Sequence, residues 1–151
     1  MKKLFKLFTL ILITVMTITL ASCSYFGKVQ KALESKGYEL IENENNAVSA
    51  EAENDERVIN VHVFSNIQSL SALESYKVTI VVVIEFKATK ELVEYYKESD
   101  TLQGIVSDIQ KDGTADEIYK ELKGAGLAHE NCIVAPLGLD ANNVLTTIKE
   151  L

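Results

Sequence analysis

The sequence predicts an α+β fold. A small, mostly antiparallel sheet, with strands near 57–64, 76–87 and 131–135 and a further candidate at 38–41, carries several helices packed on one face. Three observations predict it. In Tyr76 to Phe86 the even positions Tyr76, Val78, Ile80, Val82, Ile84 and Phe86 are all apolar, while the odd positions run Lys77, Thr79, Val81, Val83, Glu85. Successive strand side chains point to opposite faces, so this segment is a long central strand, packed under helices on one side and partly covered on the other. Val58 to Phe64 alternates too, with Ile59, Val61 and Val63 on one face and Asn60 and His62 on the other. Beyond residue 88 the apolar spacing changes to three and four residues, the period of helices.

The chain opens with Lys2, Lys3 and Lys6, an apolar run from Leu7 to Leu20, and small residues before Cys23. A positive start, an apolar core and small residues at a cleavage point describe an export signal. The run falls short of the roughly 20 apolar residues that a transmembrane helix needs. Leu20-Ala21-Ser22-Cys23 resembles the lipobox of bacterial lipoproteins: a branched apolar residue, a small one, a smaller one, then Cys. The resemblance covers residues 1–23 and assigns no family to the rest. It implies that 1–22 is a signal peptide cut between Ser22 and Cys23, that the Cys23 thiol carries diacylglycerol, and that the new amino group is acylated, with a palmitate-type chain. Each buried CH₂ is worth roughly 0.8 kcal/mol, and two chains on one residue hold stably where one holds marginally. The competing reading is an uncleaved signal anchor with Cys23 incidental. Ser24, where two-membrane bacteria use Asp to retain a lipoprotein in the inner membrane, implies the outer membrane there and the outer face of the cell membrane in one-membrane cells.

Cleavage would leave 23–151 as a single domain of 129 residues with 12 basic and 22 acidic residues, a net charge of −10. That balance argues against nucleic acid as a partner, because phosphate binding needs clustered Lys and Arg. With Cys23 acylated, Cys132 has no partner in the chain, so this is no disulfide scaffold.

Tyr25, Phe26, Val29, Ala32 and Leu33 keep helical spacing, and Lys36-Gly37 gives a basic last turn and a stop. A first helix therefore begins within a few residues of Cys23. Its Lys28, Lys31 and Lys36 could touch anionic headgroups, although a plain amphipathic helix with solvated lysines is the favoured reading. Tyr38 to Ile41 is the candidate strand. Residues 42–56 form an acidic loop, or hold an edge strand around Val48-Ser49-Ala50. Carboxylates and amides suit calcium, but no D-x-[DN]-x-[DN]-G pattern is present and a solvated loop is expected. Ile67, Leu70 and Leu73 suggest a helical turn in the link from Ser65 to Ser75.

Thr89 is placed to cap a helix with Leu92, Val93 and Tyr96 inward and Tyr95 outward, an exposed contact residue of an ordinary kind. Leu102, Ile105, Val106 and Ile109 define the next, ending near Asp112-Gly113. Thr114-Ala115-Asp116-Glu117 is a capping box for a third, with Ile118 and Leu122 inward and Gly124 as its stop. Asn131 to Ala135 is a short buried strand closed by Pro136, and Asp140 caps a last helix with Val144, Leu145, Ile148 and Leu151 inward.

No G-x-S-x-G, HExxH, C-x-x-C or P-loop occurs. His129 and Cys132, with His62 as a candidate third member, are the one group that suggests metal chemistry, since zinc accepts imidazole and thiolate. The plainer expectation is a buried Cys132 in its strand, His129 in the loop before it and His62 half-exposed, with no metal and no cofactor. The function this supports is a membrane-anchored extracytoplasmic bacterial lipoprotein that binds an envelope protein or a small ligand, without a catalytic signature. The alternative is a small membrane-attached hydrolase whose site gathers dispersed residues.

Overall fold

The computed structural model describes residues 25–41, 46–66, 78–106, 109 and 111–151. The first strand is β1 (Glu39–Ile41), followed by β2 (Val58–Ser65), β3 (Thr79–Phe86), β4 (Ala128–His129) and β5 (Cys132–Gly138). They form one sheet in the order β1-β2-β3-β5-β4, and every neighbouring pair is antiparallel. The α+β architecture and the strands read from the sequence are therefore present. β3 is central, and Val81 through Phe86 are all buried. Tyr76 and Lys77, expected to open that strand, lie outside the described residues, as does the expected turn at Ile67, Leu70 and Leu73.

The helices are α1 (25–35), α2 (Ala47–Ala52), α3 (Thr89–Glu98), α4 (Asp100–Ile105), α5 (Ala115–Ala125) and α6 (Ala141–Lys149). α2 through α5 pack on one face, against Val82, Ile84 and Phe86 of β3 with Ile133 and Ala135 of β5. The opposite face was expected to be only partly covered. Instead, α1 and α6 close it, setting Val29, Leu33, Val144 and Ile148 against Phe64, Val81, Val83 and Val134. The reason is that β2, β3 and β5 each contribute apolar residues to both faces, and neither face can be left in water.

Several local expectations are corrected. Ile59 does not join Val61 and Val63: the register slips between Val58 and Asn60, and Ile59 is 50 % exposed. A bulge inserts one residue and turns it off its face, so Val58 takes the place opposite Phe86. Pro136 does not close β5 but sits within it, opposite Val81. The Phe86 N–H donates to the Asn131 carbonyl at 2.9 Å, which makes that a hydrogen-bonded pair. Pairs alternate, so Val81–Pro136 is a non-bonded one, and the N–H that proline lacks would point away from β3. On that side β4 pairs only with Cys132 and Ile133.

Residues 47–52 are helix, not loop or edge strand. The Asn46 side chain accepts from the Val48 and Ser49 N–H groups, and Ser49 completes a capping box. Val48 and Ala52, four residues apart, then fall on one buried side. Residues 42–45 of the acidic stretch lie outside the described residues. Thr89 is the first residue of α3 and not its cap: Ala88 holds that position without a side-chain bond. α4 is capped by Ser99 and ends at Ile105, short of Asp112-Gly113. The capping box at Thr114 and Glu117 is present, but α5 runs through Gly124 and stops at Gly126, where φ is +80°.

Tyr95 faces inward, not outward, and like Tyr96 it is buried. Its ring packs on Phe86 at 5.2 Å between centroids, and the Arg57 guanidinium lies 5.5 Å from its own centroid. Arg57 is held there by Asp55 at 2.6 Å and Glu98 at 2.8 Å. The turn before β2 thus covers a helix flank that periodicity alone assigns to solvent.

Candidate functional site

The sheet register builds a polar row on the face beneath α1. Asn60 of β2 lies opposite Glu85 of β3, Glu85 lies opposite Cys132 of β5, and Cys132 lies opposite His129 of β4. Directly paired residues share a face, so the four side chains form a line across four strands. His62, two residues from Asn60, joins it. Its Nε2 is 3.2 Å from Glu85 Oε2, and Asn60 Nδ2 donates to the same oxygen at 3.1 Å. Phe26 of α1 stacks on the His62 ring, with centroids 3.7 Å apart and planes at 15°. The residues that suggested chemistry in the sequence are thus gathered, and the structure adds Glu85, Asn60 and Phe26 to them. A carboxylate at the end of an otherwise apolar strand was the available signal for Glu85.

The electrostatics of the row favour structure over reaction. Burial raises the Glu85 pKa, but the hydrogen bonds from His62 and Asn60 and the His62 charge outweigh it, and the net effect is a lowering. Burial pushes the Cys132 thiol up to about 12, with Glu85 and Glu130 adding to the rise. His129 lies in β4 and not in the preceding loop, because the turn at Glu130 and Asn131 lets Ala128 and His129 pair with β5. It is 3 % exposed, and its Nε2 has no hydrogen-bond partner. Burial lowers its pKa; Glu130 works against this, and Lys123 and Lys28 reinforce it. A protonated thiol beside a neutral imidazole is not an activated nucleophile. Among the described residues no three His, Cys, Asp or Glu side chains converge to hold a metal.

Two predictions follow from this geometry. Cys132→Ser puts a hydroxyl into a fully buried site, with an expected loss of about 1–3 kcal/mol. Urea unfolding that matched wild type would contradict the burial. For Glu85 the sign follows from the lowered pKa. A carboxylate whose pKa is lower folded than unfolded contributes its stability above the unfolded value, about 4.3, and loses it as pH falls through the folded value. Glu85→Gln is therefore expected to cost stability at neutral pH and to lessen the further loss below about pH 4.3, read from unfolding midpoints across that interval.

A separate cleft of about 270 Å³ opens between the end of α1 and α6, lined among others by Lys36, Tyr38, Asp140, Asn143 and Glu150. The Tyr38 hydroxyl donates to Asp140 Oδ2 at 2.9 Å, and Asn143 Nδ2 donates to Oδ1. Thr79 Oγ1 accepts from the Asp140 N–H at 2.9 Å. Asp140 stands at the head of α6 as expected, but its carboxylate holds Tyr38 and Asn143 and makes no cap bond. Burial raises the Tyr38 pKa, and Asp140 raises it further, so the phenol stays protonated and donating. The cleft falls just below the roughly 300 Å³ at which ligand sites begin, and it gathers several polar groups.

No family model matches the chain, and no curated protein or solved structure is significantly similar to it. Ser22 and Cys23 lie outside the described residues, and among those described no helix is long and apolar enough to cross a membrane.

Proposed function

We propose that the chain is an extracytoplasmic bacterial lipoprotein, held to the membrane through acylated Cys23, whose α+β domain acts by binding a small polar ligand or an envelope protein. The observation that carries this reading is Leu20-Ala21-Ser22-Cys23 at the end of an apolar run behind three lysines. The chain is already helical at residue 25. The domain therefore sits close to its anchor, without the long flexible spacer that would let it range from the membrane. Binding is favoured over hydrolysis because Cys132 and His129, the pair that suggested metal chemistry, are buried and unactivated. The Tyr38–Asp140 cleft is lined by carboxylate, amide, hydroxyl and ammonium groups, which suits a compact polar molecule.

Native mass spectrometry of the protein extracted from its own membranes tests the ligand part. A reproducible added mass that Asn143→Leu removes, with unfolding unchanged, is the expected result. A bare acylated monomer, across gentle extraction conditions, would contradict small-ligand binding in this cleft.

A further inference from the structure

The two helix layers that sandwich the sheet differ in charge. With the residues that flank each helix counted, α1 and α6 carry four lysines and three carboxylates, a net of +1, whereas α2 through α5 carry four lysines and nine carboxylates, a net of −5. The basic layer includes the helix nearest Cys23. Lys28 and Lys31 are exposed, as is Lys36 just past the helix, and among the described residues none of the three forms an ion pair. Lys28 lies towards the N-terminal end of α1, where a cation opposes the helix dipole, so helix stability does not account for it. Tyr25 beside it is 42 % exposed, and an amphipathic ring of this type suits the membrane–water interface.

We infer that the N-terminal half of α1 is the surface this domain turns towards an anionic bilayer, with Lys28 and Lys31 among the headgroups and the acidic layer facing away. The inference rests on the proposed acylation of Cys23, which fixes where α1 is. Lys28 is five steps along the chain from Cys23. With residues 25–28 helical, the distance is about 8 Å if the first two steps are helical too and at most about 12 Å if they are extended, against a screening length of about 8 Å in physiological salt. The lysines of α1 are therefore held where a charged surface is felt, while the carboxylates of the other layer are repelled from it. Each near-surface lysine is worth about a fivefold preference for an anionic over a neutral surface. A single tether leaves a domain free to roll, and this charge difference across the sheet selects one side.

The test is lysine acetylation of the full acylated protein in vesicles of phosphatidylcholine alone and in vesicles containing phosphatidylglycerol, read by mass spectrometry. The expected result is that Lys28 and Lys31 react about fivefold less in the anionic vesicles, relative to Lys90 and Lys120. The difference should vanish near 1 M salt, where screening shortens to about 3 Å. Equal reactivity in both vesicles, or protection of Lys90 and Lys120 instead, would overturn the orientation. Flotation with neutral vesicles separates the two readings. Protein that floats without the lysine pattern overturns the orientation alone, and protein that does not float overturns the anchor and the orientation with it. The Lys28→Glu, Lys31→Glu double variant, altered only at exposed positions, is expected to float normally and to lose protection of Lys36. Continued protection of Lys36 in that variant would also overturn the inference.

Discussion

A Cys23→Ala chain is expected to accumulate as an uncut precursor that takes up no labelled fatty acid. The thiol is the one atom in the signal region that can form the thioether to diacylglycerol, and cleavage before residue 23 depends on that step in the proteins this region resembles. Loss of the three acyl chains removes roughly 0.8 kcal/mol for every CH₂ they bury, far more than the lysines of α1 can return. The uncut precursor keeps the apolar run from Leu7 to Leu20, so whatever membrane association it shows is expected to run through that segment and not through acyl chains. Gel mobility and acyl labelling of the variant check this. Normal processing with normal labelling would contradict the lipobox reading.

The largest expected effect on the fold comes from a single methyl group. Gly126 ends α5 with φ at +80°, and a Cβ placed there would lie 2.1 Å from the Leu145 carbonyl oxygen of α6. The left-handed conformation costs an alanine about 1–2 kcal/mol. Forcing a helix backbone aside adds the 1–3 kcal/mol typical of overpacking. Gly126→Ala is therefore expected to lose about 2–5 kcal/mol, a large part of the stability of a domain of this size. Gly124 is the control. It lies inside α5 with open space around it, so Gly124→Ala should leave stability unchanged or raise it by up to about 1 kcal/mol. Urea unfolding of the pair reads both. Equal midpoints would contradict the close approach of α5 and α6.

Gly124 and Gly126 also show what a sequence can and cannot carry. Either can end a helix by composition, and the choice is made by α6, which crosses too near residue 126 for a side chain. The strands around Val61 and Val82 were legible because a period of two is a local property of the chain. The bulge at Ile59 was not, since an isoleucine fits either face and only pairing with β3 shows the slip. α2 was hidden by its polar neighbours, although Asn46 and Ser49 stand at capping-box spacing. Tyr95 is buried because Arg57 and Asp55, distant in sequence, roof over a side of α3 that helical spacing alone assigns to solvent. Of the polar row, His129 and Cys132 were visible as a spaced pair. Their alignment with Glu85 and Asn60 depends on the registers of three strand pairs, which no single segment encodes.

The anchor remains the claim on which localisation, orientation and partner all rest. Its most direct measurement is the mass of the N-terminal peptide from protein taken out of its own membranes. The expected peptide begins at Cys23 and carries diacylglycerol on sulfur, with a further acyl chain on the amino group. A peptide that begins at Met1, or an unmodified Cys23, would contradict it.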